Sequence, residues 1–388
     1  MSESEEERRK AIQRYLGGEG SVAIWRSLGH SKNWFYHWLR RYQTRATDWY
    51  TERSRRRQNY PDRTPKEIEE SVKMVRLDLY NKDLFCGSQA IRGEMEDLGI
   101  KSLPSLRTID RILSRNALTH RRTGRYQSKG RPYPKLEGHA LTEVPQADWV
   151  GPLYLRGPIR CYSLNEVDLA TGRCGVQPTM GRDAQSVLDG FWAIWGRMGI
   201  PENLQVDNDM SFFGSPTHPR GMGPLIRLCL HNGVEPWFIP MSEPWRNGVV
   251  EKFNDHHQQK FWAKVDMKSE ARLFRESFGF ENRHNSRYRY SKLKGRTPLQ
   301  ATESLGGKPR FPNGAAPPRH PLIKPVSGKY HLVRFIRSNG RLNVFGETFP
   351  VPRNLQYEYV VGTVNVHKQK LELSHDGVKV EEYDYRMR

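Results

Sequence analysis

PQADWVGPLYL (residues 145–155) opens the part of the chain that decides the fold. From Val144 onward, short apolar runs alternate with amphipathic stretches, a pattern typical of an α/β domain. The predicted strands are LYL (153–155), YSLNEVDLA (162–170), GVQPTM (175–180), LQVDN (204–208) and VEPWFI (234–239). The predicted helices cover residues 183–198, about 225–231 and 245–264.

Three carboxylates occupy distinctive positions in this region. Asp148 lies at the start of the first strand, in PQADWVGP, and Asp207 lies just past a later strand, in LQVDNDMSF. Glu251 lies inside a predicted helix, in PWRNGVVEKFN. Carboxylates from two strand ends and one helix can converge at one sheet edge, where they could hold two divalent cations about 4 Å apart. Oxygen ligands suit Mg²⁺ best, with Mn²⁺ as a substitute, and such a pair of ions supports phosphoryl transfer on DNA.

The charge of the chain favours a nucleic-acid partner. Its 388 residues contain 63 Lys and Arg against 43 Asp and Glu, a net charge of +20. Residues 1–140 carry +11, residues 141–270 carry −3, residues 271–300 carry +6 and residues 301–388 carry +6. Basic flanks suit double-stranded DNA, whereas an acidic centre suits a cation site. The alternative for the flanks is an ordinary solvated surface.

Several protein classes are disfavoured. No apolar run approaches the ~18 residues that a membrane span needs, and the N-terminal MSESEEERRK lacks the apolar core of a secretory signal. The four cysteines are far apart with no CxxC pair, which argues against a disulfide framework and a cysteine zinc site. The sequence contains no Gly-rich phosphate loop, so it gives no indication of a nucleotide cofactor. We therefore expect a cytoplasmic, nucleoid-associated protein of a prokaryotic cell, without a membrane partner.

Two similar groups of three short helices precede the α/β region. The first covers residues 5–43, with Ser31 capping its third helix, and the second covers residues 64–113, with its third helix starting at Ser105. A short helix, a Gly turn and a basic helix are typical of helix-turn-helix units, although a plain helical bundle is the alternative. The candidate DNA contacts on the two third helices are Lys32, Asn33, His37, Arg40, Arg41, Arg107 and Arg111.

The remaining segments complete a multidomain prediction. The basic stretch 121–135 favours an extended connector along DNA, with Arg121, Arg122 and Arg125 as contacts, or else a disordered tether. Residues 312–327 contain five prolines, and short β runs after Lys329 are typical of a small β-barrel. The predicted domains are helix-turn-helix units at 1–52 and 64–118, a basic linker at 119–140, an α/β core at 141–300, a Pro-rich linker at 301–327 and a small β-barrel at 328–388.

The α/β region resembles the DDE catalytic core shared by retroviral integrases and many insertion-sequence transposases. The resemblance rests on five short motifs in that family's order: QADWVG, EVDLATG (166–172), VDND (206–209), PWRNGVVEKFN and HNSRYRYSKLKGRTP (284–298). It implies an RNase H-like fold for the core. It also implies that Asp148, Asp207 and Glu251 are the catalytic, metal-binding triad.

Three departures from that family's pattern modify the expectation. The family has about 35 residues between the second Asp and the Glu, whereas 43 lie between Asp207 and Glu251, and we place the surplus in a surface loop at 212–224. Many relatives carry Lys or Arg seven residues past the Glu. Here that residue is Gln258, so Lys252 or Lys260 would contact DNA instead. No His-His-Cys-Cys module precedes the core, which makes the chain more similar to a transposase than to a viral integrase.

Other polar residues near the triad are weaker candidates. At most one of His256 and His257 could approach the metals, and an exposed or capping role is the preferred interpretation for the pair. Asp209 would replace Asp207 if Asp207 were misassigned, and Asp168 is expected away from the metal end.

The resemblance implies a transposase. Such an enzyme would bind the terminal inverted repeats of a mobile element, cleave their 3′ ends and transfer them to target DNA, as a homodimer or larger oligomer on DNA. The alternative is a catalytically inactive or domesticated transposase that acts as a sequence-specific DNA-binding regulator. A ribonuclease of the RNase H type is a weaker third possibility, because it needs no pair of helix-turn-helix units.

Overall fold

The computed structural model describes residues 3–44, 46–52, 64–119, 133–155, 157–215, 217–218, 220–266, 268–314 and 316–388. The chain divides into two compact units, Met1–Arg63 and Thr64–Arg388. None of the helices in the described ranges has the length and apolar character needed to cross a membrane.

The first unit contains the three predicted helices. They are α1, α2 and α3, at Glu3–Leu16, Ser21–Ser27 and Lys32–Gln43. α3 begins at the predicted residue because the Ser31 hydroxyl accepts a hydrogen bond from the Trp34 N–H, at 3.2 Å. All three helices contribute apolar side chains to one core: Ala11, Ile12, Ile24, Phe35 and Leu39. The helices are confirmed, while their use as a helix-turn-helix unit stays a prediction.

The second unit begins with another three helices. They are α4, α5 and α6, at Lys66–Asn81, Ser88–Asp97 and Leu106–Arg115. Ser105 caps α6 by accepting from the Thr108 N–H at 3.2 Å. The buried Tyr288, from much later in the chain, completes their apolar core, and its hydroxyl donates to the Asp83 carbonyl at 3.0 Å. These helices therefore pack against the later part of the unit.

A nine-stranded sheet forms the centre of the second unit. The strands β1 to β11 are Pro145–Tyr154, Arg160–Asp168, Cys174–Thr179, Asn203–Val206, Glu235–Phe238, Lys329–Phe335, Arg341–Val344, Glu347–Pro350, Tyr359–Asn365, Lys370–His375 and Val378–Asp384. Their order is β11-β10-β9-β6-β5-β4-β1-β2-β3, and β7 and β8 form a second, two-stranded sheet. β1 runs parallel to β4, β4 to β5 and β5 to β6, while β2 and β3 add antiparallel strands at one side. An α/β core is thus confirmed.

Helices cover both faces of this sheet. They are α7 to α12, at Ala184–Met198, Met210–Phe213, Pro224–His231, Gly248–His257, Glu270–Arg287 and Pro298–Leu305. Residues of β2 that point to opposite faces show this: Leu164 packs into the cluster with α7 and α9, and Val167 into the cluster with α10 and α11. The predicted helix 245–264 is divided into a 3₁₀ turn at Pro244–Asn247, α10, and a π-helical turn at Gln258–Trp262.

The C-terminal strands do not form the predicted separate β-barrel. β6 pairs with β5 of the core, with Trp237 beside His331 and Phe238 beside Leu332, so that β9, β10 and β11 extend the same sheet. The reason lies in β6, where five consecutive residues from Tyr330 to Arg334 are buried. A strand buried on both faces suits the middle of a sheet better than the wall of a small barrel.

Much of the Pro-rich segment between α12 and β6 follows the surface of the core. The Arg310 guanidinium donates to the carbonyls of Asn232 and Pro201, at 3.1 and 3.2 Å. Gln185 of α7 donates to the Pro318 carbonyl at 3.1 Å and accepts from the His320 N–H at 2.8 Å. These contacts attach the segment along the face that α7 and α9 cover.

Candidate active site

Asp148 and Asp207 lie side by side at one edge of the parallel strands. Ala147 of β1 pairs with Val206 of β4, and each aspartate is the next residue of its chain. Neighbouring strands are about 4.8 Å apart, so this register brings the two carboxylates close together. Both aspartates are partly exposed, whereas Ala147 and Val206 are fully buried on the other face.

α10 is held against the same part of β1. The side-chain oxygen of Gln146 accepts from the N–H groups of Val249 and Val250, at 2.9 and 3.2 Å, and these two residues lie in the first turn of α10. Asn247, just before the helix, donates to the Ala147 carbonyl at 3.0 Å. The start of the helix that carries Glu251 is therefore fixed beside Asp148.

Asn254 connects α10 directly to the first aspartate. Its side-chain amide donates to Asp148 Oδ2 at 2.9 Å, and its Oδ1 accepts from Asn165 at 2.8 Å. Residues three apart on a helix share a face, so Glu251 lies on the face of α10 that Asn254 presents to Asp148. The three predicted catalytic carboxylates are thus brought to one region by β1, the end of β4 and α10.

Burial and nearby negative charges raise the pKa of all three acids. Burial, the negative charge of Asp207 and, more weakly, that of Glu251 raise the pKa of Asp148 to about 7, against the opposing hydrogen bond from the Trp149 N–H. Burial and the charge of Asp209 raise the pKa of Asp207 to about 6. Burial also raises the pKa of Glu251. The region therefore holds excess negative charge, which a bound cation would neutralise.

The three carboxylates supply the donor chemistry of a magnesium site, but their side chains do not form a ready-made one. Their hard oxygen donors are those that Mg²⁺ and Mn²⁺ prefer. Across the described ranges, however, no group of three or more His, Cys, Asp or Glu side chains is placed so that it could hold a metal ion.

Asp209 and Asp168 have structural partners. Asp209 caps α8 by accepting from the Ser211 N–H at 2.8 Å, and it forms an ion pair with Arg182 at 3.2 Å. Asp168 pairs with Pro145, the first residue of β1, and it accepts from the N–H and hydroxyl of Thr171, at 2.7 and 2.6 Å. The expectation that Asp168 lies away from the carboxylate edge agrees with this position.

The expectation of an exposed or capping role for the His256–His257 pair is wrong for His257. That imidazole is fully buried, stacked on Phe253 and Phe261, and its Nδ1 is 3.2 Å from the Asn165 amide. Burial lowers the pKa of His257 to about 3, so the ring is neutral. Its position four residues after Phe253 places it on the inner face of α10, which packs on β2. His256 is partly buried beside the Phe85 ring.

The extra residues between Asp207 and Glu251 were predicted to form a surface loop at 212–224, and this prediction is only partly correct. Phe212 and Phe213 of α8 are buried in the main core, and Met222 is buried with them. Gly223 lies so close to the Phe213 backbone that a Cβ atom would be 2.3 Å from its carbonyl carbon. The segment therefore crosses the core surface with apolar anchors.

The predicted DNA contacts on the helical bundles are mostly exposed. On α3, Lys32, Asn33, His37 and Arg40 are exposed, while Arg41 is half-buried with its guanidinium 4.8 Å from the Trp38 ring. On α6, Arg107 and Arg111 are exposed one turn apart. Arg121, Arg122 and Arg125 lie outside the described residues.

Lys252 and Lys260 differ in their surroundings. Lys252 follows Glu251, and 65% of its side chain is exposed. Lys260 lies in the π-helical turn after α10, with its ammonium 3.7 Å from Asp83. Gln258 is exposed at the start of that turn. The Lys252 ammonium is 3.5 Å from Asp255 on the same helix.

Sequence reasoning missed four polar residues that support the site: Gln146, Asn165, Arg182 and Asn254. The position of Asn254, three residues after Glu251, was the one local signal, because that spacing places both on one helical face. The other three act through contacts between residues far apart in sequence, which no local pattern indicates.

Comparison with known proteins gives limited similarity. No model of a known protein family matches the chain, and no curated protein matches it. Among solved structures, it is similar to the HTLV-2 integrase catalytic core domain in complex with magnesium, trimeric form, at 15% identity and a TM-score of 0.34, over 43% of this chain and 99% of that one. It is also similar to a simian T-cell lymphotropic virus intasome in complex with PP2A regulatory subunit B56 gamma, at 13% identity and a TM-score of 0.38, over 82% and 97%. These similarities are too distant to assign any residue a role.

Proposed function

We propose that the protein is a DNA transposase that uses divalent metal ions to cleave and transfer DNA strands. The observation that carries the proposal is the placement of three acids. Asp148 and Asp207 are neighbours at one sheet edge, and Glu251 lies on the helix fixed beside them, with burial and mutual repulsion raising the pKa of Asp148 to about 7. Acids whose pKa is strongly raised by burial and a neighbouring charge cluster at functional sites.

In this proposal Asp148, Asp207 and Glu251 hold two Mg²⁺ ions, for which Mn²⁺ can substitute. Metal ions in such a site lower the pKa of water or of a DNA 3′-hydroxyl and stabilise the leaving oxygen. The protein's own residues supply the framework. Asn254 orients the Asp148 carboxylate through its amide, at 2.9 Å, and the Asp209 N–H orients Asp207 Oδ1, at 3.2 Å.

The helical bundles and basic segments are proposed to bind DNA. Residues 1–140 carry a net charge of +11, and the exposed basic residues of α3 and α6 offer two surfaces for duplex DNA. We propose that they recognise the inverted repeats at the ends of a mobile element. Two ends must be joined in concert, so the active complex is proposed to be a homodimer or larger oligomer on DNA.

The test is strand cleavage with Mg²⁺ on duplex DNA taken from the two flanks of the gene. Asp148→Asn, Asp207→Asn and Glu251→Gln should each abolish cleavage and transfer while DNA binding is kept. A variant that retained cleavage within about tenfold, equal to ~1.4 kcal/mol of barrier, would exclude that residue as a ligand. Asp189→Asn, on the exposed surface of α7, is the matched control and should cleave like the wild type.

A DNA-binding regulator with an inactive core is the second candidate. It is favoured by the finding that no three acidic or imidazole side chains within the described parts of the chain are placed to hold a metal ion. Wild-type protein that binds the flanking DNA but does not cleave it with Mg²⁺ or Mn²⁺ would support this candidate and refute the first.

A further inference from the structure

A buried arginine from the C-terminal strands lies at the carboxylate edge of the sheet. Arg334 belongs to β6, two residues beyond Leu332, which is the last residue of β6 that pairs with β5. It therefore extends past the end of β5, towards the place where β4 also ends, beside Asp148 of β1. Only 4% of Arg334 is exposed.

The guanidinium binds the loop that follows Asp207. Arg334 Nη2 donates to Asn208 Oδ1 at 2.8 Å, and Nη1 donates to the Ile239 carbonyl at 3.0 Å. The Asn208 amide donates to the same Ile239 carbonyl at 2.5 Å, which closes a small network. The Arg334 Nε group donates to the Asn343 carbonyl, in β7, at 3.1 Å.

This placement is unusual for a merely structural residue. Burying a cation is unfavourable unless it is satisfied by acceptors, and Arg334 uses neutral oxygen atoms rather than a carboxylate. Its burial lowers its pKa to about 10, so the group is still charged at neutral pH. A fixed, charged donor directed at the residue after Asp207 restricts where that aspartate can lie.

We propose that Arg334 is a positioning residue, which holds the Asn208 amide and through it sets the place of Asp207 in the carboxylate site. The inference rests on the proposed function. It assigns the C-terminal strands to the catalytic unit, because the side chain that fixes the second aspartate comes from β6.

The test uses the full chain and four variants: Arg334→Met, Asn208→Ala, the double variant and Arg220→Met. Arg220→Met is the matched control, since Arg220 also binds the C-terminal strands, through Glu347 at 2.8 Å, without contacting Asn208. Two quantities are measured: Mn²⁺ affinity by calorimetry, and the kcat and KM of Mg²⁺-dependent cleavage of the flanking DNA. Circular dichroism confirms that each variant is folded.

Arg334→Met and Asn208→Ala should each weaken Mn²⁺ binding about tenfold and lower kcat by roughly 10- to 100-fold, with KM for DNA within about twofold. The double variant should be no more impaired than the more impaired of the two single variants. Both substitutions interrupt the same hydrogen bond between Arg334 and Asn208, so their effects should not add. Arg220→Met should keep both quantities within about twofold of the wild type.

Unchanged Mn²⁺ affinity in folded Arg334→Met, or additive losses in the double variant, would overturn the inference. If Arg334→Met does not fold, the Mn²⁺ affinity of Asn208→Ala tests the inference instead. That variant removes the contact between Arg334 and Asn208 but keeps the hydrogen bonds from Arg334 to the backbone carbonyls. Wild-type protein that binds Mn²⁺ but cleaves no DNA refutes the proposed function alone, and the Mn²⁺ titrations then decide the inference. Wild-type protein that binds no Mn²⁺ overturns both.

Discussion

Replacing Asp148 by an asparagine should stabilise the metal-free protein while removing its proposed activity. Burial and neighbouring acids raise the pKa of Asp148 from 3.8 to about 7. The folded protein therefore holds this proton more tightly than the unfolded chain, and it loses stability as the pH rises from about 4 to about 7. Above pH 7 the full effect is present, about 4 kcal/mol at about 1.4 kcal/mol for each pKa unit.

The substitution removes this unfavourable charge. The two carboxylate oxygens of Asp148 accept hydrogen bonds from the Trp149 N–H and from the Asn254 side-chain amide. An asparagine has only one acceptor oxygen, so one of these hydrogen bonds, worth about 1 kcal/mol, is lost. The net expected gain in the free energy of unfolding is on the order of 3 kcal/mol at pH 8, and it falls below about 1 kcal/mol at pH 5.

Urea unfolding of the full chain in a chelating buffer, at pH 5 and pH 8, measures both values. Asp255→Asn is the control. It makes the same chemical change on the exposed face of α10, and the free energy of unfolding should stay within about 0.5 kcal/mol of the wild type. An Asp148→Asn variant no more stable than wild type at pH 8, or equally stabilised at both pH values, would refute the reasoning.

Three further predictions concern other parts of the molecule. The pKa of the buried His257 is lowered to about 3, so the fold loses stability as the pH falls below about 6.5. His257→Phe should therefore reduce the dependence of the unfolding free energy on pH, between pH 6 and pH 4, by up to about 1.4 kcal/mol per pH unit. Urea unfolding at several pH values measures this dependence, and an unchanged dependence would contradict the prediction. Lys32→Ala and Arg40→Ala should each lower the slope of log affinity for duplex DNA against log salt concentration by about 1, measured by fluorescence anisotropy, and an unaltered slope would show that the residue contacts no phosphate. Mixing Glu251→Gln with the Lys32→Ala, Arg40→Ala double variant should restore some cleavage if one subunit holds the DNA end that another cuts; failure of every mixture, with one protein bound per end, would argue against action in trans.

Local signals predicted the helices well. Ser31 and Ser105 cap α3 and α6 at the predicted places, because an N-cap depends on a hydroxyl and the next few N–H groups. The sequence also placed Asp148 and Asp207 beside predicted strands, while their role as catalytic ligands stays a prediction. Their register, with Ala147 beside Val206, is what brings the two acids together.

Contacts between distant residues could not be predicted in this way. The run HLVRFI suits a barrel wall as well as a central strand, and only its pairing with β5 distinguishes the two. The contact between Arg334 and Asn208 joins residues 126 positions apart. His257 was misjudged because a polar pair on a helix gives no sign of which imidazole faces the sheet.

The insertion of β6 beside β5 has a consequence for synthesis on the ribosome. Phe238 can pair with Leu332 only after the intervening chain and β6 itself have emerged. At about 5–20 residues per second, translation reaches β6 on the order of 5–20 s after β5. During that interval the edge of β5 lacks its neighbour, and the Asn208 amide lacks its guanidinium donor. The carboxylate edge of a nascent chain is therefore completed only after β6, at Lys329–Phe335, has been made.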